Sequence, residues 1–240
     1  MEEQKRIATI LDQADALRRL RARALDRLNA LGQAIFHQMF GDPVANTKGL
    51  ALVRLGDICD VRDGTHDSPK YVEAGFPLLT SKNFSGGSVD FDGAKMISKD
   101  DFDKINQRSK VDRGDIVMPM IGTIGSPVII DFDPNFAIKN VALIKFTKAG
   151  VRNEFIHALL SGNYLERAVD KQGKGGTQKF LSLSDIRGLL VPLPNEELQA
   201  DFGNAIRSLS LNTAVSNSAQ GMAETLFTSL QHRAFRGELE

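Results

Sequence analysis

From residue 3 to residue 39 apolar residues return every three or four positions, which predicts a single long helix. Ile7, Ala14, Leu28 and Ile35 share one heptad position, and Ile10, Leu17, Ala24 and Leu31 share its partner. Leu11, Leu20 and Leu25 widen the stripe, and Arg21 is the one charge on the seam. A seam kept for more than four heptads predicts a coiled coil, roughly 55 Å long at about 1.5 Å per residue. Gly41 and Pro43 supply its stop. After "VPLP", Asn195 is placed to cap a second long helix, with Glu196 and Glu197 in its first turn. Shifted by 195 positions, the first helix overlays the second: Leu31 meets Leu226, His37 meets His232 and Phe40 meets Phe235. Ile7, Leu11 and Ile35 then meet Phe202, Ile206 and Leu230, a shared apolar register that suggests duplication of a domain-plus-helix unit.

Between the helices the period changes. "GDIVMPMIG" and "SPVIIDF" read as adjacent strands, "NVALIKF" as a third and "PLLTS" as a shorter one. "SKDDFDKIN" opens with a Ser-x-x-Asp resembling a capping box, and "RNEFIHALLSGNYLERAV" predicts a helical pair or a kinked helix. Strands and short helices alternate without βαβ regularity, so the expected class is mixed α/β (α+β) and not a doubly wound sheet. The pattern divides the chain into residues 1–42, 43–194 and 195–240.

With 240 residues, 42% hydrophobic and 25% charged, the chain suits one or two globular domains. Net charge is zero, distributed as +1, +2 and −3 over the three segments, so any nucleic-acid surface has to be a local patch. A lone cysteine, Cys59, excludes an intramolecular disulfide and a cysteine-based zinc cluster. No apolar run is long enough to span a membrane, and the charged start lacks the apolar core of a signal peptide. A cytoplasmic protein is expected.

The densest polar chemistry lies in "VRDGTHDSPKY", residues 61–71. His66 and Asp67 invite a hydrolytic reading, such as a metal-dependent phosphoesterase. Against it, His37, His157 and His232 fall on predicted helices, and no histidine pair has metal-ligand spacing. No G-x-S-x-G elbow supports a serine nucleophile. An Asx-rich turn before Pro69 and a polar recognition loop remain open. "KQGKGGTQKF" (171–180) is Gly-rich and basic but lacks a P-loop ending; it suits phosphodiester oxygens or a solvated loop. "FDPNF" (132–136) resembles the D-P-P-Y motif of amino-methyltransferases, but Asn135 replaces the second proline.

Five stretches in order resemble the specificity (S) subunit of type I restriction–modification systems. They are "EEQKRIATILDQADALRRLRARAL…AIFHQMFGDP", "LGDICDVRDGTHDSPKY…GFPLLTSKNF", "RGDIVMPMIGTIGSPVII", "GKGGTQKFLSLSDIRGLLVPLP" and "LQHRAFRGEL". Such subunits usually carry two target-recognition domains and two long helices; this chain offers helix, domain, helix. The resemblance implies half of a longer subunit, or a half-subunit that pairs with a second copy as a homodimer. It implies a non-catalytic reader of double-stranded DNA, with 43–194 as target-recognition domain. Modification (methyltransferase) subunits would use S-adenosylmethionine, a restriction subunit would use ATP and magnesium, and no cofactor or metal would sit in this chain. Arg62, Thr65, His66, Lys70, Lys82 and Asn83 are then the expected base and phosphate contacts. Lys171, Lys174, Gln178 and Lys179 are expected on phosphates, with Gln178 also able to read adenine. The rival classes are the phosphoesterase and a coiled-coil adaptor.

Overall fold

The computed structural model of the chain describes residues 2–85, 87–120, 126–171 and 181–238. Two compact units emerge: 1–35 together with 204–240, and 36–203. In chain order the elements are α1 (Glu2–Phe40), β1 (Ala51–Arg54), α2 (Leu55–Ile58), β2 (Asp60–Asp63), β3 (Tyr71–Val72) and β4 (Phe76–Leu79). A 3-10 turn (Ser81–Asn83) leads to β5 (Phe84–Ser85), β6 (Ser88–Val89), β7 (Lys95–Ile97), α3 (Lys99–Ser109), β8 (Ile116–Pro119) and β9 (Val128–Ile129). There follow β10 (Ala137–Ile138), β11 (Val141–Lys145), α4 (Asn153–Ser161), α5 (Tyr164–Lys171), α6 (Leu183–Arg187), β12 (Leu190–Leu193) and α7 (Glu196–Arg236).

The helical unit is an antiparallel pair made within one chain. Arg18 of α1 reaches Glu224 of α7 at 3.4 Å and lies 5.1 Å from the ring centre of Phe227. Farther along α1, Gly32 faces Ile206 and Leu209, so the α7 numbers fall as the α1 numbers rise. The two long helices therefore pair with each other inside the chain. The inner stripe of α1 keeps one of the two expected heptad positions and only part of the other. Ile7, Ile10, Ala14, Leu28 and Ile35 of that seam are covered, joined by Leu11, Arg18, Ala22 and Leu25, whereas Leu17, Leu20 and Leu31 are 41, 60 and 43% exposed. Along α7 the covered positions keep the heptad: Ile206, Leu209, Thr213, Ser216, Gln220, Ala223, Phe227 and Leu230. Asn195 caps α7 as expected, its Oδ1 accepting from the Leu198 N–H at 2.9 Å.

The larger unit holds two four-stranded sheets, ordered β10-β4-β7-β3 and β2-β11-β8-β9, and the two-stranded ribbons β1-β12 and β5-β6. The expected neighbours 116–119 and 128–129 pair antiparallel, and β11 lies on the other side of β8. Every residue of β11 is buried, as befits a strand with neighbours on both edges. Val117, Leu143, Ile130, Ile138, Phe84 and Phe136 form the central core. Thus the two phenylalanines of "FDPNF" face other rings: Phe136 is buried, 6.3 Å from Phe132 centre to centre. A second aromatic knot joins Phe36 and Phe40 of α1 to Phe155 and Phe202, with ring centres 4.9–5.8 Å apart. The helical pair at 152–169 resolves into α4 and α5, broken at Gly162 and Asn163.

One buried charge cluster braces β8 against β11. Lys145 Nζ donates to Asp115 at 2.5 Å, to Asp112 at 2.9 Å and to the Lys110 carbonyl at 3.0 Å. All three ammonium protons are thus accepted inside the protein, which is what a buried lysine requires.

Candidate functional site

The polar stretch at 61–71 starts as a strand and ends as a loop. Asp60–Asp63 is β2, paired antiparallel with β11. Gly64 then crosses so close to β10 that an added Cβ would lie 2.6 Å from the Ile138 carbonyl oxygen. Only glycine fits this crossing, and it delivers residues 66–70 to the surface next to the β10–β11 turn. Thr65 is 9% exposed; its backbone bridges Lys139, and its hydroxyl accepts from the Asp67 N–H at 3.2 Å. It shapes the loop from within.

His66 is the hinge of the arrangement. Its Nε2 donates to Asp63 Oδ2 at 2.7 Å and its Nδ1 donates to Asn140 Oδ1 at 2.8 Å. Two acceptors, one on each ring nitrogen, favour the imidazolium: the Asn140 and Asp63 oxygens raise its pKa, against slight desolvation and the nearby Arg108 charge. Asn140 holds a left-handed backbone, φ 48–55° being rare outside glycine and best tolerated by asparagine or aspartate; its own value is 55°. Its N–H donates to the Thr65 carbonyl, so loop and turn are tied through both backbone and side chain. Next to it Lys139 Nζ donates to Ser68 Oγ at 2.6 Å. The partner of His66 is thus Asp63, not its neighbour Asp67, and among the described residues no group of three His, Cys, Asp or Glu side chains is arranged to hold a metal.

The other expected contacts scatter. Arg62 is tied down: Nε and Nη2 donate to Asp60 Oδ2 at 2.9 and 2.6 Å, and Nη1 donates to the Arg108 carbonyl at 2.9 Å. The Asp60 carboxylate raises its already high pKa. Asn83 is not at the surface. It is 7% exposed, its Oδ1 accepting from Thr80 and its Nδ2 donating to the Asp90 carbonyl, so its amide braces the 3-10 turn. Lys70 and Lys82 are exposed. Lys171 ends α5, and its side chain, like the whole of Lys174, Gln178 and Lys179, lies outside the described residues.

Residues 65–69 form one wall of a polar cleft of about 810 Å³ whose other wall is α3, through Asp101, Lys104, Gln107 and Arg108. Sequence reading found α3 but assigned it no role. Arg108 joins the walls, its Nη2 donating to the Gly64 carbonyl at 3.0 Å and lying 3.4 Å from Asp63. His66, Lys70, Lys104, Arg108 and Lys139 give this surface cations, with Asp67 and Asp101 among them. Such a surface offers donors and acceptors to a polar, anionic ligand.

Residues 48–216 match the family model described as type I restriction modification DNA specificity domain. The type I restriction enzyme EcoBI specificity subunit of Escherichia coli is 30% identical over 174 residues, 70% of this chain and 36% of that protein. The MjaVIII specificity subunit of Methanocaldococcus jannaschii is 23% identical over 228 residues, 87% of this chain and 53% of that protein. The chain therefore spans between about a third and a half of these relatives' length. In fold it resembles the HsdS subunit from Thermoanaerobacter tengcongensis, with TM-score 0.63, 22% identity, and coverage of 100% of this chain and 59% of that one. It likewise resembles a chain from work on complex assembly and conformational transition of the type I R-M system, with TM-score 0.68, 20% identity, and coverage of 99% and 60%.

Proposed function

Since the chain belongs to the type I restriction modification DNA specificity domain family, we propose that it is a DNA-recognition subunit of a type I restriction–modification complex. In this reading residues 43–194 are its target-recognition domain, reading one half of an interrupted site in double-stranded DNA. The observation that carries the reading is the family match over residues 48–216. The exposed Lys70 and Lys82 and the half-buried Lys139 are proposed for phosphates, as are Lys171, Lys174 and Lys179 from the basic segment of the sequence. Gln178 is proposed to approach a base. His66 and Thr65 set the loop, Arg62 ties β2 to the end of α3, and Asn83 braces the 3-10 turn. The chain itself carries out no chemistry. Methyl transfer from S-adenosylmethionine belongs to modification subunits, and ATP-driven work belongs to a restriction subunit, all in the cytoplasm.

We infer further that the chain works as a two-fold homodimer. The intrachain helix pair leaves Leu17, Leu20 and Leu31 of α1 and Leu211, Val215, Met222 and Leu226 of α7 exposed by 41–71%. A second copy gives these apolar side chains a partner and supplies the missing half of a symmetric assembly.

The test is selection of bound duplexes from a pool with a randomised central segment, using the full chain. One enriched motif, with no hydrolysis or methylation by the chain alone, is expected. Binding without any motif, or hydrolysis lost on His66→Ala, overturns the reading.

A further inference from the structure

Helix α3 stands as a ridge between two clefts. On one side is the cleft of about 810 Å³ shared with residues 65–69. On the other is one of about 490 Å³, bounded by Pro134, Asn135 and Phe136. Gln107 lines both, so it stands on the crest. The base of the ridge is firmly seated. Ser98 caps it, accepting from the Asp101 N–H, Phe102 stacks on Phe76 with ring centres 4.1 Å apart, and Ser109 is buried. Its C-terminal end is pinned twice, by Arg108 donating to Gly64 and by Arg62 donating to the Arg108 carbonyl.

The outward face holds Asp103, Lys104, Gln107 and Arg108. Asp103 pairs with Lys99 at 2.8 Å, and Arg108 is engaged as described. Lys104 and Gln107, one turn apart, make no hydrogen bond or ion pair among the described residues. Three basic and three acidic side chains leave α3 without net charge. It is therefore ill suited to gripping a polyanion by charge and well suited to presenting specific donors and acceptors. A helix with its side chains is about 10–12 Å across, matching the roughly 12 Å width of the major groove. The flanking clefts leave room for the two sugar–phosphate walls of such a groove. Asp67 and Asp101 in the larger cleft are offset there by His66, Lys104 and Arg108.

We propose that α3 enters the major groove and that Gln107 is a specificity-determining residue, its amide bonding the N6 and N7 edge of an adenine, with Lys104 as the neighbouring donor. This rests on the DNA-reading function proposed above and adds to it the element and the side chain that read.

The full chain, wild type and variant, is taken through the randomised duplex selection, with circular dichroism as a check on folding. Gln107→Ala should flatten the preference at one A·T position by about five- to 150-fold, the discrimination of one bidentate contact. The salt dependence of binding should not change, since no phosphate contact is lost. Gln107→Glu, which only accepts, should move the preference at that position toward cytosine, whose N4 donates. If the wild type yields a motif and both variants reproduce it, α3 is not the reader and this inference falls alone. If the wild type yields no motif, DNA recognition by the chain falls, and this inference with it.

Discussion

At the scale of single residues, His66 holds its loop by charge. Both ring nitrogens donate, to Asp63 and Asn140, and the pKa is raised above the ordinary histidine value. The stabilisation is therefore complete below the unfolded pKa and is lost as pH rises through the raised folded value. In a proton NMR titration His66 should titrate above about 6.5, and Asp63→Asn should bring it down. A His66 resonance that titrates at or below the ordinary value in the wild type would contradict the clamp. Cys59 is 1% exposed and desolvation pushes its thiol up to about 12, so it should resist thiol reagents at neutral pH until the protein unfolds. Labelling of Cys59 as fast as a free thiol in the native protein would contradict its burial. Lys145→Ala should destabilise by about 3–5 kcal/mol in denaturant melts, because Asp115 stays buried without its cation. The residue types of the loop were legible in the sequence, but their use was not. Arg62 and Asn83 have the chemistry of readers, yet both are engaged inside the chain, Arg62 by Asp60 and the Arg108 carbonyl and Asn83 by Thr80 and Asp90. Asn140, far from the loop in sequence, completes it.

At the scale of elements, α1 shows what periodicity conveys and what it conceals. Its extent followed from the apolar repeat and from the Gly41 stop. Its partner did not, and its inner face followed only in part: Ile7, Ala14, Leu28 and Ile35 are covered, but Leu17 and Leu31 obey the heptad yet stay exposed, while Arg18 packs on Phe227. At Gly32 an added Cβ would meet Leu209 and Ile206 at 3.6 and 3.7 Å, ordinary contact distances. Gly32→Ala should therefore stabilise by up to about 1 kcal/mol through helix propensity, read as a higher Tm of the helical unit. A lower Tm would mean that α1 and α7 approach more closely than described. Strands β8, β9 and β11 were legible because buried β-branched runs announce themselves. Strands β2, β3 and β7, two to four residues long, were missed, since so few positions carry no period. For the basic segment at 171–179, losing Lys174 and Lys179 together should lower the salt slope of log K by about 0.9 per phosphate contact and leave the motif intact. An unchanged slope removes that segment from the interface.

At the scale of the whole molecule, the helix–domain–helix order and the family were legible in the sequence, whereas the pairing of the helices was not. That pairing joins residues 206 positions apart, Arg18 and Glu224, a separation that no local pattern reports. With α1 and α7 satisfied by each other, a dimer has to use the stripes they leave open. Light scattering at micromolar concentration should give twice the chain mass, and Leu20→Glu with Val215→Glu should reduce it to one. A wild type that stays at one chain mass contradicts the dimer. The central claim is that this chain sets which DNA sequence its complex recognises. Its most direct test is mapping methylated positions in cells that make the chain with a modification subunit, before and after residues 43–194 are exchanged for the matching domain of a relative. The account predicts a single interrupted motif that changes with the exchanged domain. A methylated motif that stays the same after the exchange would contradict it.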